Sequence, residues 1–260
     1  MNISLNGKRA LVTGANSGIG EAIALAFGAA GADVAVNYVA KPEDAQAVVE
    51  KLKSGGSRAM AVEADVADPE QVSAMFAQLE EAWSGLDILV NNAGIDGARE
   101  PAWEADLEGW RKVIDINLFG AFSCSQEALK RMVPRGSGVI LNLSSVHEII
   151  PWSGYSAYAA AKAGVSMLTK TLSQEASPFG VRVLALAPGA IKTSINRSVW
   201  SDPAMREDLL QKIPLNRIGE VSDVANMAVV LVSDVAGYVT GTTVFVDGGM
   251  TDYPDFAHGG

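Results

Sequence analysis

The sequence predicts a single α/β domain built on a doubly wound parallel sheet, and three observations support this fold class. Short apolar segments alternate with helical patterns along the chain, as expected when helices cover both faces of a sheet. A glycine-rich turn lies between the first apolar segment and the first helix. No internal repeat, low-complexity tract or long linker interrupts the alternation, so residues 1–260 are predicted to form one domain.

Seven strands are predicted, each a short apolar run bounded by turn or helix signals. Because the runs are apolar throughout, both faces of the sheet are expected to be buried. Ligands of such a sheet lie at the carboxyl ends of its strands. The strands are predicted at 9–13, 33–37, 58–63, 87–91, 138–143, 181–187 and 243–246.

Helical patterns fill the segments between the strands. The third helix has the clearest start, with Asp68 as its N-cap, Pro69 in its first turn and Gln71 as the capping-box partner. Glycine marks the end of the second predicted helix, and proline marks the end of the last one. Helices are predicted at 21–27, 41–54, 68–85, 106–132 and 153–177.

The composition disfavours several classes of function. A net charge of −10 makes the chain a poor partner for nucleic acid or for an anionic membrane. The single cysteine, Cys124, forms no intrachain disulfide, and two histidines leave no cluster for zinc. No apolar stretch is long enough to span a bilayer, and no signal peptide is recognisable. We therefore expect a cytoplasmic protein that acts on a small molecule without a metal.

The glycine-rich turn predicts a dinucleotide site, because it joins a strand to a helix. Gly14 allows a tight turn, Gly18 lets the backbone approach a pyrophosphate, and Gly20 lets the helix pack close to the strand. The helix N-terminus offers free N–H groups to the phosphates. A flexible loop is the alternative interpretation. The predicted contacts are Gly14, Asn16, Ser17, Gly18, Ile19 and Gly20.

Tyr158 and Lys162 stand four residues apart in a predicted helix, so their side chains share one face. A phenol has a pKa of about 10, and an ammonium beside it favours the phenolate. Tyr158 is thus a candidate acid or base for a substrate hydroxyl or carbonyl. Taken alone, the pair also fits a helix-flank tyrosine beside a solvated lysine. Tyr155 lies outside this spacing and is interpreted as part of the site wall.

Several separate motifs point to one family. They are Thr13-Gly-Ala-Asn-Ser-Gly-Ile-Gly20, Asp65-Val66, Asn91-Asn-Ala-Gly94, Asn117, Ser145, Tyr158-x-x-x-Lys162 and Pro188-Gly189. Together they resemble the short-chain dehydrogenase/reductase family over nearly the whole chain. The resemblance implies a Rossmann-type domain and a nicotinamide cofactor that supplies the hydride chemistry.

The resemblance also implies roles for four residues. Tyr158 is expected to be the acid/base, and Lys162 to lower its pKa and bind the nicotinamide ribose. Ser145 is expected to hold the substrate oxygen, and Asn117 to support a water-linked proton relay to Lys162. These roles are chemically consistent, since a hydroxyl beside the reacting oxygen can orient it while the phenol moves the proton.

Further cofactor contacts are implied by the same resemblance. Asp65 and Val66 are expected near the adenine, with a helix-entry turn as the alternative. Asn91, Ala93 and Gly94 are expected near the adenosine, or else form a plain turn. A last group of residues is expected to contact the carboxamide of the nicotinamide, with an ordinary loop as the alternative. These residues are Pro188, Gly189, Ile191 and Thr193.

Segments 144–152 and 248–254 resemble the bacterial glucose 1-dehydrogenases within this family. The resemblance implies oxidation of the anomeric hydroxyl of β-D-glucose to glucono-1,5-lactone. Asp96, His147 and Glu148 follow strand ends and are candidates for hydrogen bonds to a polyol, beside Ser145 and Tyr158. A structural role is the alternative for His147, and for Asp96 and Glu148 it is the favoured one.

The choice of cofactor depends on the end of the second strand. NAD-selective sheets place an acidic residue there, whereas this chain has Asn37. An amide does not repel a 2′-phosphate, but no arginine stands nearby and Lys41 is the nearest cation. We expect Asn37 to face the ribose and both NADP and NAD to be used, with a slight lean to NADP.

Two other functions and an assembly are kept open. A ketone or 3-oxoacyl-thioester reductase would use the same scaffold, and a non-catalytic dinucleotide sensor is disfavoured because Tyr158 and Lys162 are both present. A homotetramer is implied by the resemblance and by apolar residues on two helices. The first of these helices is 153–177. The second is 106–132, which carries Phe119, Phe122 and Leu129. The tail at 253–256 is expected to form a second contact between subunits.

Overall fold

The computed structural model describes residues 3–193 and 200–252. Within these ranges, seven parallel strands form one sheet in the order β3-β2-β1-β4-β5-β6-β7. The predicted fold class is thereby confirmed. The strands are β1 (Arg9–Val12), β2 (Asp33–Tyr38), β3 (Ala59–Glu63), β4 (Ile88–Asn91), β5 (Gly138–Leu143), β6 (Val181–Pro188) and β7 (Thr243–Val246).

Helices connect the strands and cover both faces of the sheet. None of those in the described ranges combines the length and the apolarity needed to cross a membrane. The helices are α1 (Gly18–Ala29), α2 (Pro42–Ser54), α3 (Pro69–Trp83), α4 (Leu107–Ile114), α5 (Gly120–Arg135), α6 (Ser156–Ala176), α7 (Pro203–Leu210) and α8 (Val221–Val232).

A buried apolar layer lies on each face of the sheet. On one face, Phe27 of α1 and Leu52 of α2 pack with residues of α8. On the other face, Phe76 of α3 and Met132 of α5 pack with Leu172 of α6. Burial on both faces explains why the strands are apolar throughout rather than alternating.

The order of the strands reverses beside β1, which pairs with β2 on one side and β4 on the other. The connections that leave β1 and β4 run to opposite sides of the sheet, so a crevice opens at their carboxyl ends. The glycine turn after β1 and the segment after β4 both border this crevice. The fold therefore places the predicted dinucleotide site and the predicted catalytic residues at one edge of the sheet.

The helix predicted at 106–132 is divided into α4 and α5 by a π-helical turn, Asp115–Phe119. There the N–H of Gly120 donates to the carbonyl of Asp115, five residues earlier. A π-turn adds a residue without breaking the helix, and such turns are frequent at functional sites. A periodicity of apolar residues does not reveal one added residue, which is why the sequence did not predict it.

The start of α6 and one capping contact of α3 also differ from the predictions. Helix α6 begins at Ser156 and not at 153, because Gly154 adopts a φ of +89° and ends the preceding turn. Asp68 caps α3 through the N–H groups of Glu70 and Gln71, as predicted. The prediction that Gln71 completes a capping box is wrong. Its side-chain oxygen accepts from the N–H of Asp65 and not from that of Asp68.

Candidate active site

The glycine turn between β1 and α1 exposes backbone to the crevice. Gly14 and Gly18 have φ values of +58° and +60°, which disfavour other residues. A Cβ at Gly20 would lie 2.5 Å from the carbonyl oxygen of Gly14 and 2.5 Å from the amide nitrogen of Asn92. The glycine turn is therefore tightly packed where it enters the N-terminus of α1. Its exposed backbone fits the pyrophosphate of a dinucleotide.

Asn92, which the sequence analysis did not single out, joins this turn to the end of β4. Its side-chain nitrogen donates to the carbonyls of Thr13 at 2.9 Å and Gly14 at 3.1 Å. The Thr13 hydroxyl in turn accepts from the backbone N–H groups of Asn92 and Ala93. The two loops that border the crevice are therefore held together by neutral hydrogen bonds.

Asn37 does not face the ribose, and that prediction is wrong. Its side chain is 1% exposed and lies between the glycine turn and β3. Its oxygen accepts from the N–H of Gly14 at 3.1 Å, and its nitrogen donates to the carbonyls of Val62 and Ala64. At the end of β2 the residue that is open to solvent is Val39, which is 63% exposed.

Asn91 also points away from the predicted cofactor. Successive side chains of a strand point to opposite faces, so Asn91 and Asn92 diverge. The Asn91 side-chain nitrogen donates to the Ala121 carbonyl, the Ser125 hydroxyl and the Asn142 oxygen beneath α5. The Asn91 side chain therefore does not border the crevice, and the prediction that this residue lies near the adenosine is left with its backbone.

The other predicted cofactor residues lie around the crevice. Asn16 donates from its side chain to the carbonyl of Ala40, and Asp65 accepts from the N–H of Ala67 in a local turn. Val66 is 5% exposed and lies so close to Gly120 that a Cβ there would be 2.7 Å away. The side chain of Val66 thus supports the fold beside the crevice.

The segment after β6 returns to the glycine turn. The N–H of Gly189 donates to the Val246 carbonyl, and Ile191 is buried where it pairs with Gly219. A Cβ at Gly18 would lie 3.9 Å from the Cγ2 methyl of Thr193. Residues 188–193 therefore cover the turn from the opposite side of the crevice, as expected for a segment that contacts the same ligand.

Ser145, Tyr158 and Lys162 meet at the carboxyl end of β5. The Lys162 nitrogen lies 5.6 Å from the centroid of the Tyr158 ring and donates to the Leu143 carbonyl at 2.7 Å. Ser145 follows β5, is 6% exposed, and is hydrogen-bonded to the phenol of Tyr158. Three of the four residues that the sequence proposed as catalytic are thus brought together.

Burial is the largest influence on the pKa values of Tyr158 and Lys162. It raises the pKa of Tyr158 to about 12, although the hydrogen bond with Ser145 acts in the opposite direction. Burial also lowers the pKa of Lys162 to about 8, against the attraction of Asp96 and Glu148. In the protein alone, desolvation is the largest influence on the pKa of the Tyr158 phenol. The lowering of that pKa by Lys162 together with a bound cofactor stays a prediction.

Asn117 lies in the π-helical turn and is 2% exposed. Its side-chain oxygen accepts from the N–H of Ile95 and its nitrogen donates to the Ile95 carbonyl, both at 2.8 Å. The side chain therefore fixes the loop after β4 and is not available for a proton relay. A relay through Asn117 would have to use its backbone carbonyl. That relay stays a prediction.

An aromatic wall, formed by His147, Trp152 and Tyr155, stands beside Tyr158. The rings of His147 and Trp152 are stacked with centroids 4.3 Å apart, and those of Trp152 and Tyr155 with centroids 3.9 Å apart. Trp152 also meets the Tyr158 ring edge-on at 5.7 Å. The predicted place of Tyr155 in the wall agrees with this stack.

Asp96 and His147 add polar groups beside Lys162 and the aromatic wall. Asn117 fixes Ile95, and the next residue, Asp96, is close enough to Lys162 and His147 to interact with their charges. Burial raises the pKa of Asp96 and lowers the pKa of His147. His147 Nδ1 lies 3.0 Å from the Ile150 carbonyl, so it carries the proton, and in the neutral ring Nε2 is an acceptor.

Comparison with known proteins identifies the family. A sequence model described as enoyl-(acyl carrier protein) reductase matches residues 14–251. The chain is 48% identical over 256 residues to 3β-hydroxysteroid dehydrogenase 1 of Eggerthella lenta, with 98% of each chain covered. The chain belongs to the short-chain dehydrogenase/reductase family. Glucose 1-dehydrogenase 2 of Bacillus subtilis, another similar protein, is 42% identical, with 96% of this chain and 97% of the relative covered.

Solved structures agree with this assignment. A gluconate 5-dehydrogenase from Burkholderia cenocepacia, solved with NADP and tartrate, superposes with a TM-score of 0.92 at 35% identity, covering 96% of this chain and 98% of that one. This short-chain dehydrogenase/reductase is thus an NAD(P)-dependent oxidoreductase acting on CH–OH groups. Within residues 3–193 and 200–252, no three His, Cys, Asp or Glu side chains stand close enough to hold a metal ion.

Proposed function

We propose that this dehydrogenase oxidises a hydroxyl on a saturated sugar ring, with the anomeric hydroxyl of glucose as the lead substrate and the lactone as product. The observation that carries the proposal is the aromatic wall beside Tyr158, with Asp96 and the His147 acceptor next to it. The apolar face of a sugar stacks on aromatic rings, while its hydroxyls donate hydrogen bonds to carboxylate and imidazole acceptors.

Proton transfer is assigned to Tyr158. Its phenolate oxygen accepts the proton of the substrate hydroxyl, and the Ser145 hydroxyl holds the same oxygen as it becomes a carbonyl. When bound, a nicotinamide cofactor would supply the hydride acceptor and a positive charge that favours the phenolate. Because burial raises the pKa of Tyr158 to about 12, this outside charge is needed before the phenol acts as a base.

Lys162 is assigned to the ribose of the nicotinamide and to the charge balance of the site. Its stem is buried in α6, and its one described hydrogen bond goes to the Leu143 carbonyl. An ammonium has three donors, so two remain for a ribose or for water. The Asp96 and Glu148 carboxylates favour the charged form of this lysine.

NADP and NAD are both proposed as cofactors, with a slight lean to NADP. No acidic side chain stands at the end of β2 to repel a 2′-phosphate, since Asn37 is buried and Val39 is exposed. The similar gluconate 5-dehydrogenase was solved with NADP, which supports the lean. Lys41, the nearest cation, starts α2 with a φ of +58° and lies 4.0 Å from Asp44.

A hydroxysteroid is the second candidate substrate. The relative at 48% identity is a 3β-hydroxysteroid dehydrogenase. Large apolar side chains are exposed on the two segments joined by the bond from the Glu100 N–H to the Gly154 carbonyl, among them Ile149 at 59% and Trp103 at 84%. A flat, apolar ring system would cover such side chains, whereas a sugar would not. A ketone or 3-oxoacyl-thioester reductase remains an alternative, because a 3-oxoacyl-[acyl-carrier-protein] reductase is among the similar proteins.

A substrate panel tests the proposal. Glucose and other aldoses, 3β-hydroxysteroids and an acetoacetyl thioester are each offered with NADP(H) and NAD(H), and the reduced nicotinamide is followed by its absorbance. We expect the highest kcat/KM for glucose among these compounds. A preference for a steroid would establish the second candidate, and one for the thioester would establish a reductase.

A homotetramer is proposed as the assembly. Phe119, Phe122 and Met167 are exposed by 40%, 38% and 61% on the surface of the 115–119 turn, α5 and α6, a pattern that favours an interface. Leu129, predicted to share this surface, is instead partly buried against the core. The tail at 253–256 lies outside the described residues. Light scattering should give a particle of four 27.1 kDa chains, whereas a single chain would refute the assembly.

A further inference from the structure

Glu148 lies one residue from His147 and does not point at the proposed substrate. The Ser166 hydroxyl donates to its Oε1 at 3.0 Å, and the Thr243 hydroxyl donates to its Oε2 at 3.4 Å. The two hydroxyls are themselves 3.4 Å apart. Both carboxylate oxygens are therefore used within the protein, and the carboxylate connects three elements.

Two of these elements, the 3₁₀ turn and α6, present the catalytic residues. Glu148 ends the short 3₁₀ turn that follows Ser145, and the N–H groups of His147 and Glu148 donate to Ser145 Oγ at 3.2 Å and Ser145 O at 2.9 Å. Ser166 lies on α6, one turn beyond Lys162, with the spacing that places both on one helix face. Thr243 begins β7.

We propose that Glu148 is a positioning residue, whose carboxylate fixes the turn that presents Ser145 against the helix that presents Tyr158 and Lys162. Its negative charge has a second effect, because Glu148 and Asp96 are the two carboxylates that favour the ammonium form of Lys162. Asp96 acts from the loop after β4, and Tyr158 faces the lysine from α6 itself. This inference holds for whichever alcohol is the substrate.

The chain provides a matched control. Ser173 lies two turns beyond Ser166 on α6, is similarly buried, and its hydroxyl lies 2.9 Å from that of Thr240, just before β7. Ser173→Ala thus removes the same kind of bond between the same helix and the same segment, without a carboxylate. Comparing Ser166→Ala with Ser173→Ala separates positioning of the catalytic group from general stability.

We expect Ser166→Ala and Glu148→Gln to lower kcat about tenfold, since small misplacements of a catalytic group are costly. The Kd of the dinucleotide should stay within about twofold in both variants, because neither residue borders the glycine turn. Ser173→Ala should keep the kcat of the wild type. Glu148→Gln alone should also move the alkaline limb of the pH–kcat/KM profile to lower pH, because Lys162 loses a countercharge.

Hydrogen exchange gives a reading that needs no turnover. Glu148→Ala and Ser166→Ala should speed exchange of the amides of residues 146–148, whereas Ser173→Ala should not. Unchanged exchange there in both variants would overturn the proposal. It would also be overturned if Ser166→Ala and Ser173→Ala lowered the melting temperature alike while both kept the wild-type kcat, since Glu148 would then be merely structural.

Discussion

The nucleotide half of the crevice and the catalytic half are held by different kinds of interaction. In the nucleotide half, the amides of Asn37 and Asn92 and the hydroxyl of Thr13 bind backbone groups of the glycine turn. In the catalytic half, Lys162 is buried with a lowered pKa, between the charges of Asp96 and Glu148. Neutral bonds do not titrate, so the first half should be insensitive to pH, whereas the second should depend on it.

The difference matches what each half does. A dinucleotide site needs backbone N–H groups held at fixed positions, and neutral side chains supply that without introducing charge. Proton transfer needs groups whose ionisation is easily shifted, and burial of charged groups supplies that at a cost in stability. Variants of single residues should therefore affect chemistry in one half and folding in the other.

The largest effect is expected from Tyr158→Phe, which removes the proton carrier and keeps the ring beside Trp152. Turnover should fall by roughly 10²- to 10⁴-fold, the usual scale for a positioned acid or base. The dinucleotide Kd, measured by fluorescence titration, should change little. Tyr155→Phe is the control and should retain most activity, because it keeps the stacked ring. Turnover near the wild-type value in Tyr158→Phe would remove the assigned role.

Asn37→Asp tests the neutral bonds of the nucleotide half. The new carboxylate would face the Val62 and Ala64 carbonyls, to which the amide nitrogen now donates. The free energy of unfolding in urea should fall by roughly 3–4 kcal/mol, because buried acceptors lose their donor and a charge is buried. Both cofactors should be weakened alike. A selective loss of NADP at unchanged stability would instead restore Asn37 as a ribose contact.

Lys162→Met tests the charge of the catalytic half. Between pH 8 and 10.5 the folded lysine has released a proton that the unfolded one still holds, so the stability of the wild type rises with pH. Relative to Lys162→Met, the free energy of unfolding should grow by up to about 3 kcal/mol across this window. Denaturant titrations at several pH values measure it, and a constant difference would show that Lys162 titrates normally.

The smallest effect is expected at Val39, the exposed residue after β2. Val39→Arg should raise the ratio of kcat/KM for NADP over NAD by about tenfold, because a guanidinium binds a 2′-phosphate bidentately. Val235→Arg, at another exposed valine, should leave the ratio unchanged. An equal ratio in both variants would mean that the 2′ position lies elsewhere.

The sequence predicted the sheet, its strand positions and the convergence of Ser145, Tyr158 and Lys162. Short apolar runs and the i, i+4 spacing are local properties, and parallel strands bring their carboxyl ends together in any such fold. Asn37 was assigned wrongly because a position in a motif does not say which face of the strand a side chain occupies. The choice of Asn92 over Asn91 depended on the register of β4 between β1 and β5.

By itself the sequence determined the fold class, the family motifs and the residues available for proton transfer, since these depend on spacing and on chemical type. The tertiary structure alone decided the pKa directions of Tyr158 and Lys162, because burial is a property of the packed chain. It also decided the π-helical turn around Asn117 and the three bonded elements around Glu148. Contacts between residues far apart in the chain form only when the helices pack on the sheet, so no local pattern encodes them.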